Sequence, residues 1–309
     1  MKTIFRFLSL ALVVSFGAVA GFAQDQCADV DGQNAIYTPF TEVYNKKPYT
    51  IADTDKAIEL GKSFLEKFGS CESVKDQVTF VKGWVPKLEE RKGRLVTGAK
   101  YDRFDNGVKA KNYDEAFAAG REILAANPND ANIPVALGLI GLDQTYQKNY
   151  KYSDQAIQNA KSAISLVKTA KPKDNGAFGA FAFECKKDDC VSDLTFAIAH
   201  MTYWGKNDKA GALPFYYEAT QIPGRHKENA AVYEAIGVYY VDQRAPIGAE
   251  IAKLIEKQKA AKTDEEKVQI DGEIKPKVAL FNGYTERIID AFGRAHKFTK
   301  DANRKATIY

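Results

Sequence analysis

One short pattern recurs along the chain and constrains its fold more than any other feature. DKAIELGKSFLEKFGS (55 to 70) and DEAFAAGREILAANPN (114 to 129) share Asp, Ala, an apolar residue, Gly and a later apolar pair in register. YSDQAIQNAKSAISL (152 to 166), GALPFYYEATQI (211 to 222) and PIGAEIAKLIEKQ (246 to 258) fall on the same frame, with alanine at positions 57, 116, 156, 212 and 249. The anchors lie 59, 40, 56 and 37 residues apart, so two intervals match one helix hairpin and two match a hairpin plus an insertion. Within each unit apolar residues return every three or four positions, as in Ile157, Ala160, Ala163, Ile164 and Val167. That is the stripe of an amphipathic helix. Asn127-Pro128-Asn129-Asp130, Asn207-Asp208 and Pro223-Gly224 supply turn chemistry between helices, and alternating strand-like runs are nearly absent. The predicted fold is all-α.

NYDEAFAAGREILAANPND (112 to 130) resembles the second helix of a tetratricopeptide repeat, including the closing Pro128. If Ala212 is the helix-crossing alanine of that family, Phe196, Ala199, His200, Tyr203, Tyr216 and Ala219 occupy its other signature positions, with His200 where a small residue is usual. From Ala249, the residues Tyr233, Ile236, Gly237 and Tyr240 fall on the first-helix positions, and the second helix matches more weakly. The resemblance implies a helix-hairpin array, an α-solenoid, over residues 53–262 with an insertion near 172–190. Residues 24–52 supply an N-terminal segment and a first helix; 263–309 supply a closing helix and tail, with Val278, Leu280, Phe281, Tyr284, Ile288, Ile289 and Phe292 as its apolar stripe.

Residues 1–23, MKTIFRFLSLALVVSFGAVAGFA, have the charged start, apolar stretch and small residues of a secretory signal peptide cleaved after Ala23. The apolar run is shorter than the roughly 20 residues a bilayer span needs, so the mature chain is expected to lack a transmembrane span and to be periplasmic or secreted. Removing the leader takes away Lys2 and Arg6 and no acid, so the net charge falls from +4 to +2. With acids and bases alternating along helices, no nucleic-acid partner is implied. In an oxidising compartment the four remaining cysteines form two disulfides, and of the three possible pairings Cys27 with Cys71 and Cys185 with Cys190 is preferred because the second pair is local.

His200, His226 and His296 form no metal-binding or haem pattern; His200 is expected to pack between helices and the other two to sit at the surface. The GxSxG, GxxxxGK[ST] and GxGxxG patterns are missing, and CADVDG (27 to 32) lacks the ligand spacing of a calcium loop, so no catalytic residue, metal or cofactor is assigned. What remains is surface. In the implied array the first helices line a binding face, which points to Ala197, Met201 and Trp204 in one unit and Val238, Val241 and Asp242 in the next; packing of Met201 and Trp204 against the next repeat is the equal alternative. The expected function is non-enzymatic binding of a protein or peptide by an exported protein. Two alternatives stay open: an envelope thiol-disulfide enzyme using Cys185 and Cys190, with Lys186-Lys187-Asp188-Asp189 between them, and a self-assembling structural protein. The stretch NGAFGAFAFECKKDDC (175 to 190) is expected to be a stapled insertion whose Phe178, Phe181 and Phe183 cover core between two hairpins.

Overall fold

The computed structural model describes residues 26–308; the leader assigned to residues 1–23 lies outside them. No helix among the described residues is long and apolar enough to cross a membrane. The chain divides into two compact units at Gly98 and Ala99, and each is described by itself.

In the first unit, α1 (Val30–Asn45) and α2 (Ile51–Phe68) form an antiparallel hairpin against the first part of α3 (Lys75–Lys109). Asp29 starts α1 by accepting a hydrogen bond from the Gly32 amide, and Thr50 starts α2 by accepting one from the Asp53 amide. CADVDG is therefore a capped helix start. Thr54, Ala57, Gly61, Phe64 and Phe68 recur at three- and four-residue steps on α2 and are all buried. Val74, Val78, Val81, Val85 and Leu88 repeat that period into α3 and close the core with Phe40. A Cβ on Gly61 would stand 2.7 Å from a Val85 methyl, so this glycine lets α2 and α3 approach closely. Cys27 and Cys71 are bonded, with Cα atoms 5.1 Å apart, and tie the start of α1 to the end of α2.

The second unit is a succession of helices: α4 (Tyr113–Ala126), α5 (Asn132–Tyr146), α6 (Ser153–Thr169), α7 (Lys187–His200), α8 (Lys209–Gln221), α9 (Ala230–Ala260), α10 (Asp264–Phe298) and α11 (Ala302–Thr307). Helix α5 is buried on every face from Ile133 to Leu142, as its uniformly apolar sequence requires. Around it α5 pairs with α6, α7 with α8, and α9 with α10. The last residues of α3 run beside α4, where Arg103 reaches Glu115 at 2.7 Å and Glu122 at 2.9 Å. Across both units the alanines at 57, 116, 156 and 212 have no exposed surface. Two of them face a glycine on the preceding helix: a Cβ on Gly141 would lie 2.1 Å from the Ala156 Cβ, and one on Gly107 would lie 2.9 Å from the Ala116 backbone nitrogen. Small residues set these crossings.

The fifth anchor departs from the pattern. Ala249 is exposed, and α9 is one helix of 31 residues that runs through Pro246 instead of turning before it. The residues ahead of that proline, Asp242-Gln243-Arg244-Ala245, contain no glycine or asparagine to reverse the chain. Packing on α10 continues on both sides of the proline, with Phe292 against Gly237 and Phe281 against Gly248. Those contacts keep α9 continuous despite the hydrogen bond that the proline removes. The partner of the Tyr233–Tyr240 stretch is therefore α10, which starts at a Thr263–Glu266 capping box and forms the closing helix read from the sequence.

The insertion before α7 contains a two-stranded antiparallel ribbon, β1 (Ala177–Phe178) and β2 (Cys185–Lys186), with Ala177 opposite Lys186 and Phe178 opposite Cys185. Left-handed backbone occurs at Gly176 just before β1 and at Gly179 and Phe181 between the strands. The Gly179 amide donates to Asn132 Oδ1 at 3.1 Å, Lys173 Nζ donates to the Gly179 carbonyl at 2.6 Å, and Cys185 is bonded to Cys190. Of the three phenylalanines, Phe178 is buried, Phe183 packs partly against the core, and Phe181 is exposed beneath Lys109 Nζ. The covering role expected of all three is filled by Phe178 and Phe183.

Candidate binding site

Helix α7 carries the site. Its last regular turns place Phe196 and His200 one above the other, and the helix then widens into a π turn at Met201–Gly205. The Lys206 amide closes that turn on the Met201 carbonyl at 3.1 Å, and Trp204 is left 53% exposed. Such widened turns are frequent at functional sites, because they offset a side chain from the regular stripe.

Trp204 stands at an aromatic cavity of about 390 Å³ lined by Tyr146 of α5, Phe196 and His200 of α7, Tyr203 of the π turn, Tyr216 of α8, and Ala231, Glu234, Ala235 and Val238 of α9, with Arg304 of α11. The His200 ring lies 4.6 Å from Tyr146, 5.4 Å from Phe196 and 6.4 Å from Trp204, centre to centre. Phe196 is buried beneath them, stacked at 4.1 Å on His226. The result is a wall with rigid rings and one carboxylate, Glu234. Aromatic rings supply large contact area at low entropic cost, which suits them to anchoring a polypeptide.

Of the positions read from the sequence, the structure brings Trp204 and Val238 into this cavity. Met201 is fully buried and, like Ala197, belongs to the interior, because Gly141 opens a space beside Ala156 that the methionine sulfur fills. As an open-surface anchor it is corrected to a core residue. Val241 and Asp242 are exposed outside the cavity, and Asp242 holds Lys209 at 2.5 Å. Tyr146, Glu234 and Arg304 were not read from the sequence; they come from helices far apart in the chain.

Tyr146 also lines a second cleft of about 630 Å³ between α5, the insertion and the start of α7. Its wall mixes Asp143, Glu184 and Asp189 with Lys186 and Arg225. One edge is held by a polar cluster on Asp193, a buried acid that accepts two hydrogen bonds from Arg225, each 2.7 Å, and lies 3.0 Å from His226 Nε2. Asn229 Nδ2 contacts His226 Nδ1 at 3.0 Å. His226, expected at the surface, is thus buried, and this cluster pins the α8–α9 connection to α7. A lone aspartate in the apolar run DLTFAIAHM carried the signal, since a buried carboxylate requires partners.

Burial lowers the His200 pKa from 6.5 to about 4. Between those values the unfolded chain binds a proton that the folded chain does not, so stability rises with pH across the window. The effect is at most about 3 kcal/mol, present above pH ~6.5 and lost as the pH falls toward 4. Urea unfolding of the wild type and His200→Phe at pH 7, 5.5 and 4 checks this. The difference between the two proteins should shift in favour of the variant on acidification; a constant difference contradicts the assignment.

In the Cys185–Cys190 disulfide, Cys190 is buried and Cys185, within β2, is half-buried. Among the described residues no three His, Cys, Asp or Glu side chains group as metal ligands do. No family model matches the chain, and no curated protein matches it. Among solved structures, a tetratricopeptide repeat protein from Parabacteroides merdae aligns with 90% of this chain and 97% of its own, at 12% identity and a TM-score of 0.28. The all-helical architecture, with its alanine crossings at 57, 116, 156 and 212, is a property of this chain's own helix pairs.

Proposed function

We propose that the protein binds an extended segment of a protein partner in the aromatic cavity, with Trp204 as the anchor, in the cell envelope or outside the cell. The observation that carries this reading is the exposure of Trp204 beside Tyr146, His200 and Val238 in a cavity that several helices build together. A helical repeat is a platform on which such faces evolve, and the cavity supplies a specific place on it. Export is supported by the leader-like residues 1–23 and by two cysteine pairs at bonding distance, an arrangement that persists in oxidising compartments.

Proximity cross-linking in the native organism, followed by mass spectrometry, tests the reading. Trp204→Ala is expected to weaken capture of the partner at least tenfold, as loss of a central aromatic anchor costs about 2 kcal/mol or more. Val241→Ala, outside the cavity, should leave capture unchanged. Equal capture by wild type and Trp204→Ala would remove the cavity from the function.

A further inference from the structure

We infer that the segment bound in the aromatic cavity presents an arginine to Glu234, and that Arg304 of α11 occupies that place as an internal competitor. The inference rests on the reading of the cavity as a polypeptide site. Arg304 Nε donates to Glu234 Oε1 at 2.9 Å and Nη2 to Oε2 at 2.5 Å, a two-pronged pairing of guanidinium with carboxylate. Both residues line the cavity, so the carboxylate is presented where the rings of His200 and Trp204 stand. A planar guanidinium suits such a place twice over, because it forks onto a carboxylate and stacks on aromatic faces, whereas an ammonium does neither as well.

Arg304 is held in an exchangeable way. Every residue of α11 is exposed, and its six residues are too few for a helix that is stable in isolation. The ion pair is itself partly open to water, with the arginine side chain 50% exposed and the glutamate 22% exposed. Exposed pairs of this kind are weak. An incoming arginine with its flanking chain on the rings therefore replaces Arg304 and adds contacts that α11 does not make. The tether favours the internal residue through a millimolar-range effective concentration, which sets a threshold for outside ligands.

The test uses the full chain and a fluorescent synthetic peptide matching residues 299–308, followed by anisotropy. The Arg304→Ala protein is expected to bind this peptide more tightly than the wild type does, by up to about fivefold, the change that loss of an exposed ion pair allows. Adding Glu234→Gln to Arg304→Ala should weaken binding by up to about fivefold, and a loss at least as large should follow when the peptide carries glutamine in place of its arginine, a change that leaves the protein untouched. Absence of binding to Arg304→Ala, or binding indifferent to the peptide's arginine, overturns the inference. The partner captured by cross-linking separates the two readings: capture lost with Trp204→Ala but kept with Glu234→Gln rejects arginine recognition and leaves the cavity as a binding site. Capture kept with both variants rejects both.

Discussion

Phe196→Ala is expected to lower the stability of the second unit by about 3–5 kcal/mol, the cost of emptying a fully buried aromatic position. Phe196 is 1% exposed and packs among three rings, with centres 4.1 Å from His226, 5.4 Å from His200 and 6.2 Å from Tyr216. Its removal leaves a void beneath the aromatic cavity and strips His226 of its stacked face. The polar cluster on Asp193 then loses the wall that positions it. Urea unfolding monitored by Trp204 fluorescence in a Trp84→Phe background measures the effect, and Phe196→Leu should recover a large part of the loss by refilling most of the volume. A change below about 1 kcal/mol for the alanine variant would show that the site collapses around the gap more readily than a close-packed interior should.

Removal of the Cys27–Cys71 bond is the second large expected effect, and it falls on the other unit. The two cysteines are 44 residues apart, so by chain entropy the cross-link restrains the unfolded state by about 4 kcal/mol. The Cys185–Cys190 bond, 5 residues apart, contributes about 2 kcal/mol on the same basis. The first unit spends its apolar residues on one small core, Phe40 through Leu88, and units of that size have little stability to spare. The chain's two tryptophans divide between the units, Trp84 in the first and Trp204 in the second. In a Trp204→Phe background, Trp84 fluorescence should show a marked drop in the unfolding midpoint when Cys27 and Cys71 are both replaced by alanine. An unchanged midpoint would mean that the core alone holds the unit together.

Much of the architecture is written in local pattern. The alanines at 57, 116, 156 and 212, the three- and four-residue apolar steps and the turn residues between them determine helices and their pairing, because a helix buries one stripe and small residues mark where two helices cross. The cysteine spacing likewise pointed to the pairing found. Pattern failed at Ala249, where the frame could be extended by counting although no turn residue precedes Pro246. It failed again at His226, whose neighbours Arg225 and Lys227 read as surface, because Asp193, 33 residues away, brings it inside.

The candidate site was legible only as a direction. Trp204 and Val238 followed from repeat register, but Met201 on the same register is interior, since register assigns a face and cannot assign depth. Depth depends on the residue opposite, here Gly141, which lies 60 positions before the methionine. The pairing of Glu234 with Arg304 spans 70 residues and has no sequence signature. By itself, then, the sequence determined the helices and the crossings at 57, 116, 156 and 212 and favoured one cysteine pairing among three, because periodic repetition and local spacing carry that information. Only the tertiary structure decided which rings share a cavity and which carboxylate meets which arginine, because those depend on the packing of distant helices.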